Sequence, residues 1–215
     1  MSVFFAICTL AGFLLLLQAV GKSMLLSLLR EYKRKKLLSV QPLGKGSRFL
    51  NIAQVDSIGW ILDCTNENDL ASAVEIAEFV KEFGIPFHGL VVANGKCFKN
   101  EILYRQYEEK FAQMNISILG KKQMNWVGVP KIPLKDFMER EYSMFLLLNP
   151  NNNFTSDFLS LKVKAQFMVG MHNNAKLPYT FVLEPDKEEF SYSRYLKSLF
   201  DYLKNINCSS VRDGE

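Results

Sequence analysis

From Ser57 onward, short apolar runs alternate with longer segments in which apolar positions recur every three or four residues, the pattern of strands alternating with helices. Residues 58–64 are nearly continuous in their apolarity, as expected of a strand covered on both faces. Residues 65–69 are rich in N-cap types, and Leu70, Ala73, Val74, Ala77, Val80 and Phe83 then line one face of a helix that Gly84 closes. Residues 85–93 supply a second strand, with Pro86 tolerated near its start. Asn94 and Gly95 mark a turn, residues 101–111 a polar helix, and residues 116–119 a short third strand. Residues 120–133, holding Trp126, Gly128, Pro130 and Pro133, read as loop, and 134–141 as a short helix before a fourth strand at 144–148. Beyond the asparagine-rich loop 149–153, Thr155 is the expected N-cap of a helix running through 157–164. Residues 167–170 and 179–183 read as two more short strands, and a helix over 191–203 closes the pattern.

The elements predict an α/β fold, a three-layer Rossmann-like or flavodoxin-like sheet, mostly parallel, of about five to six strands. In such a sheet a ligand lies at the carboxyl ends of the strands. The domain is expected over 57–207, with 24–56 as a basic amphipathic helix and linker and 208–215 as a tail.

The first 21 residues carry no charge and residues 3–17 are almost wholly apolar. A membrane span takes roughly 20 apolar residues, so this run is marginal for crossing and Lys22 soon follows it. A cleaved signal peptide is the rival reading, but the positive n-region it needs is missing. Residues 1–23 therefore read as a membrane anchor, or as a stretch ahead of a true translation start at Met24. Behind them, residues 24–38 join leucines to the basic cluster Arg30, Lys33, Arg34, Lys35 and Lys36. With an anchor, that cluster holds the domain at the cytoplasmic face of the inner membrane and can contact anionic headgroups. Without one, the expected location is cytoplasmic and the segment is a surface helix.

The chain has 215 residues, 48% hydrophobic and 22% charged, which are globular proportions. A net charge of +4 is too weak a bias to argue nucleic-acid binding. The aromatic residues Tyr104, Tyr107, Phe111, Tyr192, Tyr195, Phe200 and Tyr202 fall on two predicted helices, where packing explains them better than base stacking. Cys8, Cys64, Cys97 and Cys208 contain no C-x-x-C pair and read as reduced thiols. With only two histidines, His88 and His172, no metal site is expected.

The run from about Met24 to Asn207 resembles an uncharacterised bacterial α/β domain family. The likeness rests on the basic start at 30–36, the strand 58–64 with an acidic helix after it, Asn125-Trp126 with Gly128 and Pro130, and above all residues 164–170, Lys-Ala-Gln-Phe-Met-Val-Gly. It implies a Rossmann-like sheet and no established activity. The chain departs from the family pattern at Asn149, where members carry an acidic residue, and in having residues 1–23. A looser likeness links residues 144–170 to the amino-terminal half of heptosyltransferase-type glycosyltransferases, which use two halves to form the donor cleft.

Tests for specific chemistry are mostly negative. Gly44-Lys45-Gly46-Ser47 lacks the phosphate-loop spacing, and the turn after the first strand, 63–68, is acidic and free of glycine. There is no G-x-S-x-G, and neither histidine is placed in sequence to activate a serine or thiol. Cys64 ends the first strand beside acidic residues that raise a thiol's pKa, and reads as a buried small apolar residue. The polar groups expected near the carboxyl edge are Asp63, Thr65, Asn66, Asn94, Asn149, Asn151, Asn152, Asn153, Asp157 and His172. Asparagines bind well and catalyse poorly, having no titratable proton, and they also suit turns.

Two function classes follow. The first is a non-enzymatic binding or interaction protein tethered to the membrane, its partner another protein or a second copy of the chain, with no cofactor. The second is an enzyme or sensor for a nucleotide or nucleotide-sugar, contacted by Asn94, Asn149, Asn151, Asn153 and Asp157.

Overall fold

Continuous apolarity in the predicted strands is explained by a sheet buried on both faces. In the computed structural model the described residues are 23–39, 48–93, 97, 101–150, 153–174, 176–186 and 190–206. The chain divides into two compact units, Met1–Ser39 and Val40–Glu215. The first unit shows one described helix, α1, at 23–38. The anchor reading of residues 3–20 lies outside the described residues, as do Gly44–Ser47, Asn94, Gly95, Asn151, Asn152, Cys8 and Cys208. No helix among the described residues is long and apolar enough to cross a membrane.

The second unit contains strands β1 (Ile58–Cys64), β2 (Phe87–Ala93), β3 (Ile116–Leu119), β4 (Glu141–Leu148), β5 (Lys164–Gly170) and β6 (Phe181–Val182). Helices α2 (Glu67–Glu82), α3 (Glu101–Gln113), α4 (Lys135–Met138), α5 (Phe154–Ser160) and α6 (Tyr192–Asn205) alternate with them. The six strands form one sheet in the order β3-β2-β1-β4-β5-β6, and every pairing is parallel. This is the Rossmann order rather than the flavodoxin-like one. The winding direction across the sheet reverses between β1 and β4, and in open α/β sheets it is outside the carboxyl ends of such strands, here Cys64 and Leu148, that ligands bind.

Alternation along β1 divides its side chains between two layers. Ile58, Trp60, Leu62 and Cys64 join a core with Leu70, Ala73 and Ala77 of α2 and Leu196, Leu199 and Phe200 of α6. Asp63 faces the opposite layer, where Asn153 and Ser156 of the α5 region reach it. Gly84 closes α2 with φ of 67°, the left-handed conformation that glycine adopts without penalty. Asn51, seven residues before β1, is tied to the end of α6, its Nδ2 donating to the carbonyls of Lys204 at 3.1 Å and Ile206 at 2.9 Å.

Several boundaries differ from the sequence reading. Asn153, not Thr155, caps α5: its Oδ1 accepts from the Thr155 amide at 2.9 Å. The Thr155 hydroxyl instead donates to the Gly128 carbonyl at 2.8 Å. The helix therefore starts and ends earlier than expected, and Lys164 begins β5. β4 starts at Glu141 because Glu141 and Tyr142 pair with Lys164 and Ala165. The last strand is only the pair Phe181 and Val182, set against Val169 and Gly170.

Candidate functional site

The turn after β1 is where a dinucleotide-binding Rossmann protein cradles pyrophosphate on backbone amides. Here the chain's own carboxylate takes that place. Asp69 Oδ2 accepts from the Thr65 amide at 2.7 Å, the Thr65 hydroxyl at 3.0 Å and the Asn66 amide at 3.0 Å. Asn66 Oδ1 caps α2 by accepting from the amides of Asn68 at 2.9 Å and Asp69 at 3.3 Å. Four amides of the turn and the Thr65 hydroxyl are thus already engaged by the chain's own side chains, and the acceptor for three of these donors is the Asp69 carboxyl group.

On the other layer, the carboxyl ends of β1, β4 and β5 converge on a buried polar cluster. Asp63 is 6% exposed, Asp157 4% and Asn149 0%. Asp63 Oδ1 accepts from Asn153 Nδ2 at 2.8 Å and from the Ser156 hydroxyl in a short hydrogen bond. Among the described residues, Asp157 receives only long contacts, from Asn149 Nδ2 at 3.5 Å and Asn174 Nδ2 at 3.4 Å. His172 Nδ1 lies 3.0 Å from the Asn149 carbonyl, so in the tautomer with a proton on Nδ1 the ring donates to it. Gly170, at the end of β5, lies under the Tyr179 ring, which would collide with any Cβ placed there.

Burial dominates the ionisation of both acids. It pushes Asp63 up to about 7 against the lowering effect of the Ser156 hydrogen bond, and the nearby charge of Asp157 adds to the rise. Burial likewise lifts Asp157 to about 6, with Lys176 drawing it back. Tyr179 is pushed well above the ordinary phenol range, first by burial and then by the field of Asp157. Among the described residues, Asp63 Oδ2, Asn149 Oδ1, His172 Nε2 and the hydroxyls of Tyr179 and Tyr195 are buried without a hydrogen-bond partner. A cluster of this kind calls for an explanation, since most buried polar groups are paired.

Of the five predicted ligand contacts, the structure brings Asn149, Asn153 and Asp157 together at the switch point. Asn94 and Asn151 lie outside the described residues. Asp63 and His172, both placed at the carboxyl edge by the sequence pattern, belong to the cluster, whereas Thr65 and Asn66 serve the α2 cap. Sequence reasoning missed Ser156, Asn174 and Tyr179. Ser156 carried a usable signal: one helical turn after a capping Asn, it faces wherever that cap faces. No group of three or more metal-ligating side chains occurs among the described residues.

The structure is thus an α/β protein with a parallel sheet in the Rossmann order and with the Asp69 carboxylate seated in the turn after β1. The chain belongs to a family of unknown function, DUF6913, whose model matches residues 28–206. No curated protein and no solved structure matches it.

Proposed function

We propose that the chain is a binding protein for a small ligand bearing an ammonium group, held at the switch point by Asp63, Asp157, Asn149 and Tyr179. The observation that carries this reading is a pair of buried acids in which Asp63 Oδ2 has no partner and Asp157 accepts only two long amide contacts, with no lysine or arginine hydrogen-bonded to either acid among the described residues and Lys176 acting on Asp157 only through its field. A buried carboxylate is costly unless a cation or several donors offset it. An ammonium offers three donors and one positive charge, which suits Asp63 Oδ2, Asn149 Oδ1 and a phenol oxygen. A nucleotide would have to seat its phosphates away from the turn that Asp69 fills.

The test is thermal shift of the full chain at pH 8 against primary amines, amino sugars and nucleotides. Amines are expected to raise the Tm by several degrees and to lose that effect in Asp157→Asn. A shift with nucleotides but with no amine would overturn the reading. Because an ammonium favours the ionised acid, binding near pH 7 should also release protons, seen as a calorimetric enthalpy that depends on the buffer.

A second reading, membrane tethering, is favoured by α1 itself. Met24, Leu25, Leu26, Leu28 and Leu29 are exposed on it and are followed along the same helix by the cluster Arg30, Lys33, Arg34, Lys35 and Lys36, an apolar stretch and a basic one that suit insertion and headgroup contact in turn. Co-sedimentation of the full chain with phosphatidylserine vesicles is expected, and it should fall when Lys33, Lys35 and Lys36 are changed to Glu. Equal sedimentation with neutral vesicles would remove the basic cluster from the account.

A further inference from the structure

Cys64 and Cys97 are separated by 33 positions in sequence, yet their sulfurs lie 2.8 Å apart. Both are buried, at 0% and 1% exposure, and neither is in a disulfide. Cys64 ends β1 and is in register with Ala93, the last residue of β2, so Cys97 belongs to the segment just past β2. The Cys64 thiol also lies 3.2 Å from the Asn66 carbonyl. The pair has no third metal-ligating group beside it among the described residues, which argues against a structural zinc site. Two thiols held in contact form one two-electron donor, whereas one buried thiol is merely a small apolar residue.

We propose that Cys64 and Cys97 form a dithiol site that a hydroperoxide oxidises to a disulfide, joining Cys97 to the last residue of β1. One thiol, deprotonated, attacks a peroxide oxygen. The O–O bond breaks, giving a sulfenic acid and one molecule of water, or an alcohol from an organic hydroperoxide. The second sulfur then attacks the sulfenic sulfur, the S–S bond forms, the S–O bond breaks, and the departing hydroxide leaves as water with the second thiol's proton. Two electrons pass from the sulfur pair to the peroxide, and no other reductant or oxidant is needed.

The hydrogen bond with Cys97 and, after it, burial push the Cys64 thiol well above its ordinary range. Thiolate is therefore scarce in the folded protein, and oxidation is expected to be slow. This inference does not depend on the amine-binding reading, because Cys64 faces the α2 and α6 layer while Asp63 faces the α5 region.

The experiment treats the reduced full chain with hydrogen peroxide, and separately with diamide, followed by non-reducing peptide mapping and a melting curve. A Cys8→Ser, Cys208→Ser variant isolates the pair, and mapping of the wild-type chain reads the same peptides if that variant folds poorly. The expected result is a loss of two hydrogen masses, one peptide joining Cys64 to Cys97, and a Tm raised by several degrees that dithiothreitol reverses. Sulfinic acid on either residue without the joined peptide would overturn the proposal. So would links to Cys8 or Cys208 alone, intermolecular links, or a joined peptide formed only in urea.

Discussion

Asp56 and Asp63 stand at opposite ends of β1, and each accepts hydrogen bonds from serine hydroxyls, yet they ionise in opposite senses. Asp56 lies 2.5 Å from the Ser143 hydroxyl and 3.0 Å from the Ser57 hydroxyl. Those hydrogen bonds, Ser143 first, hold it below the usual carboxylate range. Asp63 has the Ser156 hydroxyl and the Asn153 amide as donors, and burial still carries it up to about 7. A hydrogen bond to a charged group contributes about 1.5–3 kcal/mol, while taking a carboxylate out of water costs several. Solvent, not the identity of the partner, therefore decides which acid keeps its charge. At the amino edge water completes the shell of an exposed acid, and at the carboxyl edge one oxygen is left without a partner.

The largest test of this contrast is Asp63→Asn. The folded protein keeps the Asp63 proton up to about pH 7, whereas the unfolded chain releases it near the ordinary carboxylate value of 3.8. Stability from this group is thus highest below that lower value and is lost as pH rises through about 7. Each pH unit of that interval is worth about 1.4 kcal/mol. Asp63→Asn is expected to stabilise the protein at pH 8 by up to about 4 kcal/mol and to flatten the profile between acid and neutral pH, measured by urea unfolding. An unchanged profile would mean that Asp63 is solvated.

Ser143→Ala attacks the other end. The Ser143 hydroxyl accepts from the amides of Asp56 at 3.0 Å and Ser57 at 2.9 Å. Its loss should cost about 2 kcal/mol at pH 7, with less of the cost visible in acid, where Asp56 is protonated.

Asn153→Ala removes both the α5 cap and a donor to Asp63, at an expected cost of about 1–2 kcal/mol. It should also move the Asp63 titration to still higher pH, followed by the carboxyl resonance in NMR. Asp56→Asn is the mildest change, since its charge is exposed and screened. A loss below about 1 kcal/mol at pH 7, vanishing in acid, is expected from the same unfolding measurement.

How much of this was legible in the sequence depends on the range of the interaction. β1 and β3 have the predicted bounds because continuous apolar runs and their flanking turns are local signals. Gly84 is a local signal too, and it falls where the helix ends. α5 was misplaced because Asn153 and Thr155 are both competent caps, and the choice between them was made by Gly128, 27 residues away, which engages the Thr155 hydroxyl. β4 was read short because Glu141 and Tyr142 join the sheet through Lys164 and Ala165, a pairing with no trace in either segment alone. The candidate site follows the same rule. Asn149, Asn153 and Asp157 were visible as a polar loop and helix start, but their meeting with Asp63, 90 residues before Asn153, exists only in the parallel sheet. The thiol pair was invisible for that reason: its spacing matches no motif, and only the β1–β2 register brings the sulfurs together.

The clasp made by Asn51 bears on the order in which the domain can be threaded. Because one amide reaches the carbonyls of Lys204 and Ile206, the residues that lead into β1 and those that end α6 are neighbours in space. A short linker could therefore join them with little loop-closure cost. A permuted gene opened in the exposed turn before β2, between Phe83 and Ile85, would then encode the same six-stranded sheet read from a new first strand.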